Sequence, residues 1–322
     1  MQRSILSAAI GAILACTASA ALAQDYPNRP VKWLQGFAPG GNADAISRVL
    51  ADELGKRLGQ PVVVEARPGA GGNLASEAVA KASPDGYTIV LITTGHVISA
   101  ALYKSLNFDP INDFEFITTV SELPFFLVVN AAKSSYKTMV ELVDAAKNKP
   151  AGVTYGTAGV GTGQHLSTEL LNSSVRGKLT HVPYRGDSAA VAGLLSGDID
   201  FVVAPLPAIL GNLQAGTFRA LGQTGLRPWF ALPDVPPIAS VVPGYESIGW
   251  TGVATTRGVQ KPIVERLNKE LRQIIALPHV DRKLRDFGGA PASSTPAEIS
   301  DKVKTSIARF NRVIDDAKIE RR

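Results

Sequence analysis

From residue 31 onward, short runs of consecutive apolar residues alternate with longer stretches in which apolar side chains recur every third or fourth position. The short runs read as strands buried on both faces, and the periodic stretches as amphipathic helices. Strands are predicted at residues 31–36, 62–65 and 88–93, with helices over 44–58 and 73–82 between them. In the first helix Ile46, Val49, Leu50, Leu54 and Leu58 share one face. A second set follows, with strands at 125–130, 153–157, 179–183, 199–203 and 218–223, each beside a helical stretch. Its first helix opens at Thr138, and Glu141 completes a capping box. This alternation predicts an α/β fold in which each unit is a mainly parallel sheet flanked by helices.

Residues 227–244 hold Pro228, Pro233, Pro236, Pro237 and Pro243 and read as an irregular surface connector. Beyond them come a strand near 252–255, a helix over 262–276 with Ile263, Leu267, Leu271 and Ile274 facing inward, and a last helix. That helix opens at Thr295-Pro296-Ala297-Glu298, an N-cap, a proline at the first helical position and a capping glutamate. Lacking a complete α/β unit, the segment is expected to return to the first unit. The predicted lobes are therefore residues 24–124 plus 248–322, and residues 125–247. No internal repeat or low-complexity tract interrupts them.

The N-terminus has its own pattern. Arg3 precedes an apolar run over residues 5–22 and an Ala21-Leu22-Ala23 site, the form of a secretory signal peptide cleaved after Ala23. A membrane anchor is the weaker reading, because the run is short, rich in small residues and holds Gly11. Lipid attachment at Cys16 ranks lower, since Leu14 fits a lipobox poorly. Cys16 is the sole cysteine, so after cleavage no disulfide or thiolate metal site is expected. The 322 residues, 45% apolar, suffice for two ordinary domains held by their cores alone. The net charge of +5 is scattered along the chain. No basic stripe or recognition module of a nucleic-acid-binding protein is present.

Two loops carry the candidate chemistry. Phe37, Ala38, Gly40, Gly41, Asn42 and Asp44 lie between the first strand and its helix. Adjacent glycines there let a ligand approach the backbone, and the amides of the following helical turn favour an anion. An ordinary turn capped by Asn42 or Asp44 is the equally weighted alternative. The matching loop of the second unit holds Ala158, Gly159, Gly161, Thr162 and Gln164, and the two are expected to face each other across a cleft. Gln164 stands where a dinucleotide fingerprint would need its third glycine, and no phosphate-binding P-loop occurs. A third glycine-rich turn, residues 67–73, reads as a packing turn.

His96, His165, His181 and His279 lack metal-ligand spacing, so no cofactor or metal is expected. Residues 186–190 miss the nucleophile-elbow pattern at the last position, leaving a hydrolase built on Ser188 with His181 or His165 as a weak competitor. Arg185 offers a guanidinium to a carboxylate, although a loop arginine is ordinarily solvated.

The ordered motifs resemble those of the Bug family of periplasmic receptors for tripartite tricarboxylate transporters. They are Phe37-Ala38-Pro39-Gly40-Gly41 with Asp44 and Arg48, residues 67–73, Pro84-Asp85-Gly86-Tyr87-Thr88 and Asp113-Phe114. Gly159-Val160-Gly161-Thr162 with His165-Leu166, residues 181–186 and residues 232–236 continue the series. The resemblance implies a type II-like, two-lobed periplasmic binding protein that is not an enzyme. It implies closure on a carboxylate held by the backbone amides of the two loops, delivery to membrane transporter subunits, and a monomeric state. A sensor handing its bound state to a regulatory partner would use the same cleft. Many relatives carry Asp or Asn where this chain has Ala204. That difference argues against an amino-acid ligand and for an apolar body, as in an aromatic or aliphatic dicarboxylate such as terephthalate. Thr94 and His96, just after the third strand, are the candidates for the cleft wall.

Overall fold

The computed structural model describes residues 26–37, 39–150, 152–184 and 186–321. The predicted signal segment with Cys16 and Ala23 lies outside these residues, as do Ala38 and Arg185.

Two mixed sheets share one long strand. In the first, β2 (Val62–Ala66), β1 (Val31–Gln35) and β3 (Thr88–Thr93) run parallel, and β9 (Ile248–Thr256) adds antiparallel to β3. Strand β4 (Phe114–Asn130) pairs with β9, and the two-residue β10 (Ala290–Pro291) pairs antiparallel with β4. In the second sheet β6 (Leu179–Pro183), β5 (Val153–Thr157) and β7 (Phe201–Pro205) run parallel. The far half of β4 and then β8 (Phe218–Gln223) close its other side.

The exchange of partners within β4 is abrupt. Pro124 makes the last pairing in the first sheet, with Ile248, and Phe125 the first in the second, with Pro205. A proline lacks the N–H a ladder needs, so it belongs where one ladder ends and another begins. The Phe125 N–H is taken up by the Thr224 hydroxyl at 2.9 Å. Only 125–130 was predicted as strand. The preceding half was hidden because Thr118, Thr119 and Ser121 interrupt its apolar run, although all three are buried.

Alternating side chains fill opposite faces of each sheet. In the first lobe Trp33, Ile89 and Leu91 face α1 (Asn42–Leu58), α8 (Lys261–Ile275) and α9 (Pro278–Asp286). Leu34, Val90 and Ile92 face α2 (Asn73–Ala80), α3 (Thr94–Leu102) and α10 (Pro296–Asp316). In the second lobe Leu127, Val129, Phe201 and Val203 pack against α4 (Met139–Asn148) and α5 (Gly163–Val175). Phe126, Val128, Val202 and Ala204 pack against α6 (Asp187–Ser196) and α7 (Leu206–Gln214). The capping boxes read at Thr138 and Thr295 are both formed. Helices α3 and α9 are absent from the sequence prediction. Among the described residues, no helix is long and apolar enough to cross a membrane.

Candidate functional site

The loop from β1 to α1 is braced from behind. The buried Gln35 accepts the Phe37 N–H at 2.8 Å and donates to Asp44 at 3.4 Å. Asp44 also accepts the Gly40 N–H at 3.0 Å and Arg48 Nε at 2.8 Å. The Arg48 hydrogen bond, with the Gly40 amide second, holds the Asp44 carboxyl below its ordinary range. Gly40 and Asp44 thus satisfy each other, and neither is among the described residues that line the two chambers set out below. What the loop turns toward the cleft is Phe37 and the first turn of α1, Gly41 to Ala43. Gly41 supplies no side-chain cap, which leaves first-turn amides of α1 for another acceptor.

The third glycine-rich turn packs against this loop, as expected. A Cβ on Gly36 would lie 2.3 Å from Gly72 Cα, so Gly36 must be bare for the two backbones to meet, while Gly72, at φ +103°, holds a conformation that side chains disfavour. The turn does more than pack, because its Ala70 and Gly71 line the cleft.

Strand β3 delivers α3, whose N-cap Thr93 accepts the Gly95 N–H at 3.1 Å. Thr94 is stitched to β9, donating to the Trp250 carbonyl at 3.3 Å and accepting the Trp250 N–H at 2.8 Å, and it lines the cleft. His96 does not. It is 3% exposed, with Nε2 2.8 Å from the Pro110 carbonyl and Nδ1 3.1 Å from Ser76 Oγ, among Phe108, Phe114 and Phe116. A carbonyl only accepts, so Nε2 carries the proton. Burial pushes this imidazole down to about 4, against the opposing pull of the Pro110 bond. The physical reason for its retreat is the helix itself, which turns side chains two positions apart to different faces.

In the second lobe, Thr162 caps α5 by accepting the His165 N–H at 3.3 Å and donates to the Gly159 carbonyl at 2.8 Å. The Gly161 N–H donates to His165 Nδ1 at 3.2 Å. Gly163 and Gln164 follow at the start of α5, and Gln164 Nε2 donates to Asp187 at 3.0 Å. Asp187 opens α6 after Gly186, which has φ +101° and adds no side-chain cap.

These parts enclose a cleft of two adjoining chambers. One, of about 590 Å³, lies between α3 with the Ala70–Gly71 turn and residues 158–164. The other, of about 800 Å³, lies between the α1 and α6 N-termini and is walled by Ile46, Leu123, Phe125 and Trp250. Phe37, Thr93, Gly95, Gly163 and Asp187 line both and form the waist. The expected residues Phe37, Gly41, Asn42, Thr94, Ala158, Gly159, Gly161, Thr162 and Gln164 all lie in this lining. Four helix N-termini, those of α1, α3, α5 and α6, converge on one space. Helix N-termini of this kind favour an anion, and no Lys or Arg is among the described lining residues.

Ala204 lies elsewhere. It is fully buried opposite Phe126, in the cluster with Val128, Leu194 and Ile209, and lines neither chamber. Strand alternation turns it to the face covered by α6 and α7. Its identity therefore bears on packing, and the inference drawn from it about an amino group on the ligand loses its basis. Asp187 is the residue the sequence reading missed: the segment was weighed only for the Ser188 nucleophile. Leu123, Phe125 and Trp250 were missed as well, since they reach the cleft only through the strand that joins the lobes and its neighbour β9.

Among the described residues no group of three or more His, Cys, Asp or Glu side chains is placed to hold a metal ion. His181 Nε2 lies 2.7 Å from Thr157 Oγ1, and His165 serves the Gly161 amide, so both rings are engaged in the β5–α5 loop.

Residues 46–319 match the model of the tripartite tricarboxylate transporter family receptor, TctC. The protein in the tcbD-tcbE intergenic region of Pseudomonas sp. (strain P51) is 37% identical over 94% of this chain and 92% of its own. Rpa4515 of R. palustris, solved with adipate, superposes with a TM-score of 0.80 at 32% identity, covering 92% of this chain and 99% of that one. MatC of Rhodopseudomonas palustris, solved with bound malate, gives 0.73 at 29% identity, covering 90% and 100%. With the two-lobed α/β architecture and the amide-lined cleft between its sheets, the chain belongs to the TctC (Bug) family of periplasmic solute-binding receptors of tripartite tricarboxylate transporters.

Proposed function

We propose that this receptor captures a small dicarboxylate with an apolar body, aromatic or aliphatic, and presents it to the membrane subunits of its transporter. The observation that carries this reading is the cleft itself: two chambers, each reached by helix N-termini and without Lys or Arg among the described lining residues, with carbon walls in the larger one. One carboxylate in each chamber would meet amides at both ends, while the body of the ligand spans the waist beside Phe37. The adipate and malate held by two relatives support a ligand with two carboxylates.

In this reading the lobes are residues 24–124 plus 248–322 and residues 125–247, hinged where β4 changes sheets. The ligand touches both lobes only when they meet, so its contacts favour the closed form, which the transporter recognises. The protein acts as a monomer after export and cleavage behind Ala23.

Thermal unfolding against terephthalate, phthalate, adipate, succinate, citrate, benzoate and hexanoate tests the assignment. A ligand at a hundred times its Kd adds about 2.7 kcal/mol of stability. Dicarboxylates should raise Tm where the monocarboxylates of matching body do not. Equal shifts from benzoate and terephthalate would remove the two-ended reading.

A further inference from the structure

Asp187 is the only carboxylate among the described residues lining the cleft, and it stands at the waist, where both chambers meet. Tyr103 is the only other ionisable side chain of that lining. Among the described residues, Gln164 is the one group hydrogen-bonded to the Asp187 carboxylate, through Oδ1. Gln164 and Asp187 sit in the first turns of different helices, α5 and α6, so the bond aims the carboxylate into the space between the lobes. A site built for anions gains nothing from a negative side chain at its centre unless the ligand brings something to meet it. A ligand made only of carboxylates and hydrocarbon would sit against Asp187 with like charge and no donor. A hydroxyl or ammonium group at mid-ligand would give the carboxylate a charge-assisted hydrogen bond.

We propose that Asp187 is a specificity-determining residue that selects carboxylates bearing a hydroxyl or amino group positioned at the waist. This deepens the dicarboxylate reading and rests on it. Gln164 is then a positioning residue, since its amide fixes which oxygen of Asp187 is left for the ligand. Burial already pushes the Asp187 carboxyl above its ordinary range, and such a donor would draw it back down.

The test is calorimetric titration of the purified protein and its Asp187→Asn variant with matched ligands: succinate, malate and aspartate, then terephthalate, 2-hydroxyterephthalate and 2-aminoterephthalate. The wild type should bind the best donor-bearing member of one series about 10- to 100-fold more tightly than its unsubstituted parent. In the variant that ratio should collapse toward unity, with the parent bound as well as before or better. Asp187→Ser serves the same purpose should the asparagine variant fail to fold. A ratio unchanged by the substitution, or a wild type that prefers the unsubstituted parents, overturns the proposal. Binding of none of the six by either protein defeats the dicarboxylate reading and this inference with it. Binding of all six with no discrimination defeats this inference alone.

Discussion

The rings of His165 and His181 stack with centroids 4.1 Å apart and planes 27° from parallel, directly behind the loop that faces the cleft. Tyr155 continues the column at 4.9 Å from His181, and Phe201 follows at 5.6 Å from Tyr155. One histidine receives the Gly161 N–H and the other meets Thr157, so the shape of residues 157–161 depends on both rings.

Stability should therefore fall in mild acid. Burial pushes His181 down to about 4, and His96 likewise, from an ordinary value of 6.5. Below 6.5 the unfolded chain binds protons that the folded chain refuses until about 4. The stabilisation is thus complete above pH 6.5 and is lost progressively toward pH 4. For the enclosed His96 this amounts to roughly 3 kcal/mol at the lower limit. His181, more exposed, contributes less. Urea unfolding at pH 7.0 and 4.5 should show the loss, and His96→Gln should flatten it. A stability independent of pH over that interval would contradict neutral, buried imidazoles.

Gly36→Ala should damage the binding loop from behind. The added methyl meets backbone at Gly72, which has no side chain to swing away, so one of the two turns must move. Overpacking of this kind costs about 1–3 kcal/mol. Because the displaced turn carries Ala70 and Gly71 into the cleft, ligand affinity should fall along with Tm. Retention of both would show that the two backbones are not held in contact.

Ala204→Asp should act on folding rather than on ligand choice. The new carboxylate would lie in an apolar cluster with no cation among its members, and an unpaired buried charge costs about 3–5 kcal/mol. Melting in the absence of ligand should drop sharply. A variant that melts like the wild type yet loses ligand would return this position to the cleft.

Lobe closure makes a separate prediction. Leu166 of α5 is fully buried in the cluster built mainly from the first lobe, alongside Leu102 and Phe310, and so ties the lobes on the side of the C-terminal helix. Ligand should shorten a spin-label distance across the open side of the cleft. Leu166→Ala should cost about 2–5 kcal/mol and broaden the ligand-free distance distribution. Identical separations with and without saturating ligand would dismiss the closure mechanism.

The contrast between Gly41 and Asp44 shows what could be read in advance. A strand over residues 31–36, two glycines and an amphipathic helix are local features, set by backbone freedom and side-chain period, and they located the loop between β1 and α1. Which member of the loop faces a ligand is a matter of partners. Asp44 is claimed by Arg48, Gly40 and Gln35, and only the packed structure reveals that claim. The helix over Thr94–Leu102 had the same effect on His96, an apparent neighbour of Thr94 that its helical turn carries into an aromatic core.

By itself the sequence determined the α/β class, the two sets of units and the glycine-rich loops, because each is written in periodicity and turn chemistry over a few consecutive residues. The tertiary structure decided what lines the cleft. Phe125 and Trp250 come from strands at the join of the lobes, and Asp187 is brought to Gln164 from 23 positions away in the chain. It also withdrew Ala204 and His96 to the interior. Contacts of this kind follow from how sheets and helices pack in three dimensions, and no local pattern in the chain encodes them.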